Sequence, residues 1–190
     1  MTELLSRTGA FQDRADAGRQ LAHRLQRYRD EHPIVLGLPR GGVAVAYEVA
    51  SALDAPLDVF IARKLGAPNH PEFAVGAIAP GGVVLVDRRA IQALHISREQ
   101  LEEVARAEGA EVERRLRQYR DDRPPPQVRG RTVILVDDGL ATGMTARAAV
   151  QSLRQQGPRR VVLAVPVGAA ETVEALSEEV DDLVCLLIPP

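Results

Sequence analysis

Two adjacent acids stand at the end of a hydrophobic run in the stretch VILVDDGLATGMTA, residues 133–146. A run of this kind predicts a buried strand, so Asp137 and Asp138 would lie where that strand ends. Carboxylates accept hydrogen bonds but repel a phosphate that touches them. We therefore expect the two acids to accept hydrogen bonds from hydroxyl groups that lie a short distance from any bound phosphate.

The residues that follow the acid pair have the features of a phosphate site. A glycine lets the backbone approach a ligand closely, and the Ala-rich segment after it predicts a helix whose N-terminus favours an anion. Backbone N–H groups and threonine hydroxyls would then point at one ligand group. The phosphate cradle predicted on this basis consists of Ala141, Thr142, Gly143, Met144 and Thr145. A sugar phosphate would satisfy the cradle and the acids together.

Hydrophobic segments of strand length alternate with segments of helical periodicity along the chain. Strands are predicted at residues 34–38, 57–64, 131–136, 159–167 and 180–188. Helices are predicted at residues 11–30, 43–54, 97–122 and 169–179, with a further one that ends near Gln156. This alternation predicts an α/β fold with a parallel sheet and helices on both faces. In such a sheet ligands collect at the carboxyl ends of the strands.

One stretch interrupts the alternation. Residues 65–82 are rich in Gly, Pro and Ala, which predicts a loop that runs into a hairpin, FAVGAI and VVLVD around a turn at residues 80–82. We expect residues 65–86 to form a flexible loop and hairpin within a single domain that spans residues 1–190. Ser97 and Gln100 fit a capping box at the start of a long charged helix, residues 97–122.

The composition restricts the classes of partner. A net charge of -2 and a pI near 6.1 give no general attraction to nucleic acid or to an anionic membrane. No apolar run approaches the ~20 residues that cross a bilayer. We therefore predict a cytoplasmic protein with no membrane partner and no nucleic-acid partner. The single cysteine, Cys185, excludes an internal disulfide framework and a cysteine cluster for metal.

Three motifs carry a resemblance to a known family. VILVDDGLATGMTA resembles the phosphoribosyl-pyrophosphate (PRPP) binding motif of the type I phosphoribosyltransferases. GLPRGG, residues 37–42, resembles the pyrophosphate loop of that family, and ARKLGAP, residues 62–68, resembles the basic strand end that opens its flexible loop. The motifs occur in the family's order. More narrowly, FQDRADAGRQLAHRL, LGLPRGGVAVA and RKLGAPNHPEFAVGAI are together similar to a bacterial and archaeal subgroup of phosphoribosyltransferases.

The resemblance implies roles for individual residues. Asp137 and Asp138 would hold the ribose 2- and 3-hydroxyls, directly or through waters on Mg2+, and the cradle would hold the 5-phosphate. Pyrophosphate would be bound and neutralised by Arg40, Gly41, Gly42, Arg63 and Lys64. Mg2+ would arrive on PRPP with several of its waters rather than in a protein cage.

The implied reaction is displacement of pyrophosphate from the anomeric carbon by a nitrogen of a base. In the hypoxanthine-guanine enzymes an Asp that acts near the base stands three residues after the second acid, where this chain, like the adenine enzymes, has Ala141. A general acid or base must then come from elsewhere. The loop offers His70 and Glu72, of which Glu72 is taken as the candidate.

Two functions remain open at this point. One is an enzyme of nucleotide metabolism that acts on PRPP and an unidentified base, and the other is a PRPP-sensing regulator that binds RNA, DNA or a protein partner. The near-neutral charge favours the enzyme. Related enzymes continue beyond the last strand into a segment that covers the base, whereas this sequence ends at Pro190. We therefore expect base recognition to be weak or to be completed by a neighbouring subunit, as in a homodimer.

Overall fold

The main feature of the fold is a five-stranded parallel sheet with helices on both faces, seen in a computed structural model that describes residues 11–121 and 123–189. In chain order the elements are α1 (Arg14–Leu25), β1 (Ile34–Gly37), α2 (Gly41–Leu53), β2 (Leu57–Val59), β3 (Arg63–Ala67), β4 (His70–Ala79), β5 (Val83–Val86), α3 (Arg88–Ala93), α4 (Arg98–Arg120), β6 (Thr132–Val136), α5 (Met144–Gln155), β7 (Arg160–Val167), α6 (Ala170–Ser177) and β8 (Asp182–Leu187). The parallel sheet has the order β2-β1-β6-β7-β8. The predicted α/β fold is confirmed.

Two hydrophobic clusters form the core, one on each face of the parallel sheet. All five residues of β6 are buried, and successive side chains point to opposite faces. Leu36 and Leu135 pack on the side of α5, whereas Val35 and Ile134 pack against α1 and α2. Burial on both faces explains why the central strands read as continuous apolar runs rather than as alternating ones.

Side-chain caps lie at the start of α1 and at the start of α4, and the second is the predicted capping box. The side chain of Asp13 accepts a hydrogen bond from the backbone N–H of Asp16 at the start of α1. Ser97 and Gln100 form a reciprocal capping box at the start of α4. This helix ends at Arg120, where the sequence predicts an end at residue 122, and Asp122 itself lies outside the described residues.

The prediction of one strand over residues 57–64 is wrong. The chain forms β2 in the parallel sheet, leaves that sheet, and enters β3 of a second, antiparallel sheet. Neighbouring side chains at the break belong to different clusters, because Phe60 packs with the core beside α5 while Ile61 packs against α4. The apolar run is therefore continuous in the sequence, although within it the chain passes from the parallel sheet to the antiparallel one.

The predicted hairpin of FAVGAI and VVLVD is confirmed, since β4 pairs antiparallel with β5, but the prediction of a loop before it, from residue 65, is wrong. A three-stranded antiparallel sheet of order β3-β4-β5 occupies this region, and only residues 68 and 69 separate β3 from β4. Leu65, Ala67 and Val75 are buried against α4, which supplies the hydrophobic contacts that stabilise these strands. Because this segment is rich in Gly, Pro and Ala, its strands are difficult to recognise from the sequence. Residues 69–73, around the turn, are exposed.

Candidate functional site

The acid pair lies where two neighbouring parallel strands end. Strand β1 pairs with β6 in a register that places Gly37 beside Val136. Beyond this pair the backbone N–H of Leu38 donates to the carbonyl of Val136 over 2.9 Å. The turn after β1 therefore meets the turn after β6 at the carboxyl edge of the sheet, where ligands bind in folds of this class.

The glycines of the turn after β1 touch the acid pair. A methyl group on Gly42 would lie 2.8 Å from the carbonyl oxygen of Val136 and 2.9 Å from Cα of Asp137. A methyl group on Gly41 would overlap the carboxylate of Asp138. Only a residue without a side chain allows this approach. Arg40 caps α2, is exposed, and follows a cis peptide bond to Pro39.

The carboxylate of Asp137 is half-buried, and its Oδ1 accepts the backbone N–H of Asp138 over 2.8 Å. Burial raises the pKa of Asp137 to about 7, because loss of water penalises the charged form. The hydrogen bond from Asp138 opposes this rise, and the charge of the Asp138 carboxylate adds to it. Near neutral pH this acid is therefore able to hold or release a proton.

We expect Asp137 to make stability depend on pH. Its raised pKa means that between about pH 4 and pH 7 the folded protein holds a proton that the unfolded chain has lost. The free energy of unfolding should therefore fall as pH rises through this range, by up to about 1.4 kcal/mol per pH unit from this group. Asp137→Asn removes the titrating group, so its melting temperature relative to wild type should be higher at pH 8 than at pH 4.

Thermal unfolding of both proteins from pH 4 to pH 8 measures this difference. Asp16→Asn is a useful comparison, since a hydrogen bond from the backbone of Gln12 lowers the pKa of Asp16. Its contribution to stability should be lost as pH falls, which is the opposite direction. A constant difference between wild type and Asp137→Asn across the pH range would contradict the raised pKa.

Arg14 also lies at this site, although no role is predicted for it from the sequence. Its Nε and Nη2 donate to Oδ2 of Asp138 over 3.0 and 2.8 Å. The two residues are 124 positions apart, so no local motif joins them. In the sequence Arg14 directly follows the N-cap Asp13 and lies within FQDRADAGRQLAHRL, one of the stretches similar to the phosphoribosyltransferase subgroup.

The predicted phosphate cradle lies beside the acid pair. Gly143 adopts φ 72° and is the N-cap of α5, which begins at Met144. The first backbone N–H groups of a helix have no acceptor within the helix, so they are free for an anion. A cavity of about 180 Å³ opens here, lined by Asp137, Gly139, Leu140, Ala141, Thr142, Gly143, Met144, Thr145 and Ala146. Hydrogen bonds fix the loop, since Thr172 donates to the carbonyl of Ala141 over 2.6 Å.

A larger open cavity of about 820 Å³ shares Leu140, Ala141 and Thr142 of this loop with the first cavity. It is formed by the loop, by the end of β7 and by the start of α6, with Leu140, Ala141, Thr142, Val167, Gly168, Ala169, Ala170, Glu171, Thr172 and Pro189 as its lining. The sequence analysis assigns no role to the end of β7. The parallel bridge between Leu140 and Gly168 holds the two segments together.

The structure does not bring the remaining predicted residues into contact with the acids. Arg63 forms an ion pair with Glu108 of α4, and Lys64 Nζ donates to the carbonyl of Glu72 over 3.1 Å. His70 Nδ1 lies 3.7 Å from Oε1 of Glu72, and both side chains are largely exposed. Arg63 and Lys64 belong to β3, and His70 and Glu72 belong to β4, of the antiparallel sheet.

Comparison with known proteins assigns the family. The family model described as the phosphoribosyl transferase domain matches residues 8–188. This chain belongs to that family. The crystal structure of TT1426 from Thermus thermophilus has 45% sequence identity and a TM-score of 0.76, and the match covers 94% of this chain and 85% of TT1426.

Two further proteins are also similar to this chain, one in sequence and one in fold. A Mycobacterium tuberculosis protein named as a phosphoribosyl transferase is 46% identical over 179 residues, which are 94% of this chain and 40% of that protein. The chain thus spans 40% of the length of this curated relative. The purine phosphoribosyltransferase of Pyrococcus horikoshii is 18% identical with a TM-score of 0.51, over 90% of this chain and 81% of that one, and shares the fold.

Two features are absent from residues 11–121 and 123–189. No helix there is both long enough and apolar enough to cross a membrane. No group of three or more His, Cys, Asp or Glu side chains there is arranged to hold a metal ion.

Proposed function

We propose that this chain transfers the phosphoribosyl group of PRPP to a nitrogen of a nucleobase or a similar acceptor and releases pyrophosphate. The proposal is supported by three features that lie together at one edge of the sheet. The glycine turn after β1 touches the Asp137–Asp138 pair, and the cradle at the start of α5 follows that pair. PRPP presents a diphosphate, two ribose hydroxyls and a 5-phosphate, and each matches one of these features.

The chain's own groups would bind the substrate as follows. The cradle of Ala141 to Thr145 binds the 5-phosphate through backbone N–H groups and threonine hydroxyls. The carboxylates of Asp137 and Asp138 accept hydrogen bonds from the ribose hydroxyls. Backbone N–H groups at Arg40, Gly41 and Gly42 bind the diphosphate. Binding the substrate at three points fixes its anomeric carbon relative to the acceptor, and such positioning lowers the barrier to reaction.

In the proposed reaction the bond between the anomeric carbon and the diphosphate oxygen breaks, and that oxygen keeps the electron pair. The acceptor nitrogen forms the new bond to carbon, and its surplus proton passes to a base or to water. Positive charge develops on the sugar ring in between, so the nearby Asp137 and Asp138 carboxylates stabilise the transition state. The open cavity at the end of β7 adjoins the cradle and is our candidate for the acceptor.

We propose that Mg2+ takes part together with PRPP. The residues fit this role, since Asp137 lines the cradle cavity, Asp138 is next to it, and carboxylates are suitable partners for Mg2+ and its waters. When bound, Mg2+ supplies neutralisation of the charge on the departing diphosphate. The protein's contribution is to accept hydrogen bonds from hydroxyls, or from waters on the ion, at Asp137 and Asp138.

The turn between β3 and β4 is our candidate for a lid. Residues 69–73 are exposed, whereas Val75 and the residues after it in β4 are buried. We expect this turn, which carries His70 and Glu72, to close over the ligand and exclude water. Hydrogen exchange should therefore slow at residues 68–73 when PRPP and Mg2+ are added, and stay unchanged at residues 75–79. Equal exchange at residues 68–73 with and without ligand would rule out the lid and the role of Glu72.

The test of the proposed function is a panel of free nucleobases, each incubated with the protein, PRPP and Mg2+ and followed by pyrophosphate release. We expect at least one base to give release that depends on both the base and PRPP. Tight PRPP binding without turnover of any base would favour the alternative of a non-catalytic PRPP-sensing regulator that binds RNA, DNA or a protein. Absence of PRPP binding would contradict both functions.

A further inference from the structure

The guanidinium of Arg14 lies at the point where the acid pair and the glycine turn meet. Two of its nitrogens donate to the same oxygen of Asp138, over 2.8 and 3.0 Å. A methyl group on Gly41 would lie 2.8 Å from Nε of Arg14. Arg14 therefore contacts a residue proposed to bind the ribose and borders one proposed to bind the diphosphate.

The backbone determines the position of Arg14. It is the first residue of α1, and the Asp13 cap fixes the start of this helix. One turn later α1 packs closely on α2, since a methyl group on Gly18 would lie 2.7 Å from Cβ of Glu48. Helix α2 begins at Gly41, so the packing of these two helices holds Arg14 beside the glycine turn.

Two of the other cations proposed for the diphosphate have different partners. Arg63 is paired with Glu108, and Lys64 donates to the carbonyl of Glu72. Arg14, in contrast, is paired with a carboxylate that the ribose hydroxyls need. Its side chain is 61% exposed and that of Asp138 is 36% exposed, so water and salt weaken their attraction and the pair opens easily.

We propose that Arg14 binds the diphosphate of PRPP by an exchange of partners, an inference that rests on the proposed function. In the free protein Arg14 covers the Oδ2 atom of Asp138. When PRPP binds, the ribose hydroxyls take that oxygen and the guanidinium turns to the diphosphate beside Gly41. A planar guanidinium donates two parallel hydrogen bonds to phosphate oxygens, which makes arginine well suited to this second partner.

The exchange predicts that replacing Arg14 weakens the binding of one ligand and not that of another. Inorganic pyrophosphate with Mg2+ represents the diphosphate, and ribose 5-phosphate carries the hydroxyls and the 5-phosphate alone. Arg14→Gln should weaken pyrophosphate binding at least ~10-fold, because it loses charge-assisted hydrogen bonds. Ribose 5-phosphate should bind equally well or several-fold more tightly, because no cation competes for Asp138.

Calorimetric titration of both ligands would test the exchange. Arg14→Lys keeps the charge but loses the planar fork, so its pyrophosphate affinity should lie between those of wild type and Arg14→Gln. Arg19→Gln is the matched control, since Arg19 is an exposed cation of the same helix that pairs with Asp16 at 4.0 Å. It should bind both ligands as wild type does, and melting temperatures establish that every variant is folded.

The outcomes separate this inference from the proposed function. If wild type binds PRPP and Asp138→Asn weakens that binding, but Arg14→Gln leaves pyrophosphate affinity unchanged, the exchange is wrong and the function stands. Equal weakening of both ligands in Arg14→Gln would show a general structural effect and would also overturn the exchange. If wild type binds neither ligand nor PRPP, the proposed function fails, and the inference fails with it.

Discussion

Replacing Asp137 and Asp138 together by Asn is expected to lower the affinity for PRPP at least ~100-fold and to abolish phosphoribosyl transfer, while the protein stays folded. Each charge-assisted hydrogen bond lost is worth about 1.5 to 3 kcal/mol, and 1.4 kcal/mol is a factor of ten. Adjacent residues do not contribute additively, so the lower bound is the safer expectation. Asn has the same shape as Asp and keeps an oxygen that can accept the backbone N–H of residue 138.

Calorimetry at pH 8 is the appropriate measurement, because at this pH Asp137 has lost most of its proton, given a pKa of about 7. A control variant, Asp30→Asn with Asp54→Asn, removes the same charge from exposed positions. Asn is suited to position 54, since this residue has φ 51° and Asn tolerates the left-handed region. PRPP affinity equal to that of wild type in the Asp137 and Asp138 variant would refute the site assignment.

The candidate site residues whose proximity the sequence predicted are contiguous in the chain. Asp137, Asp138 and the cradle follow one another within a single strand, loop and helix start, so their proximity depends on local structure alone. The caps at Asp13 and Ser97 were predictable for the same reason, since each acts on a backbone N–H three residues away.

The parts that the sequence did not predict depend on tertiary contacts. The buried alternation of Leu65, Ala67 and Val75 becomes recognisable only once α4 packs against it. The short helix α3, capped by Asp87, lies in a segment to which no element was assigned. Arg14 reaches the site through the packing of α1 on α2, a contact that no pattern in the sequence encodes.

The two acids of the site differ in their surroundings, although they are neighbours in the sequence. Asp137 is desolvated and its pKa rises, whereas Asp138 faces the guanidinium of Arg14. Below about pH 7, where Asp137 holds its proton, and with Asp138 paired to Arg14, the free site carries little net negative charge. Such a site would repel the anionic PRPP less than two free carboxylates would. The surroundings of the two acids thus explain how a site with two carboxylates could bind an anionic ligand such as PRPP.

Gly41→Ala is expected to reduce the binding of PRPP and pyrophosphate strongly, by ~10-fold or more, with little change in thermal stability. The new methyl group would overlap the carboxylate of Asp138 and lie 2.8 Å from Nε of Arg14. Both groups are ends of flexible side chains and can move aside, so the fold accommodates the change. Alanine is also a better helix residue than glycine at the start of α2. The displaced carboxylate, however, no longer meets the ribose.

Gly42→Ala should differ from Gly41→Ala in its thermal stability, and this contrast makes the test specific. Its methyl group would lie 2.8 Å from the carbonyl oxygen of Val136 and 2.9 Å from Cα of Asp137, which are backbone atoms in or beside a buried strand and cannot move independently. Its melting temperature should therefore fall. Gly109→Ala is the control, because its methyl group would meet only Ile78 Cδ1 at 3.4 Å in the middle of α4. If Gly41→Ala bound pyrophosphate and PRPP as tightly as Gly109→Ala, the glycine turn would not be the diphosphate site, because a methyl group at this position must displace the groups that surround it.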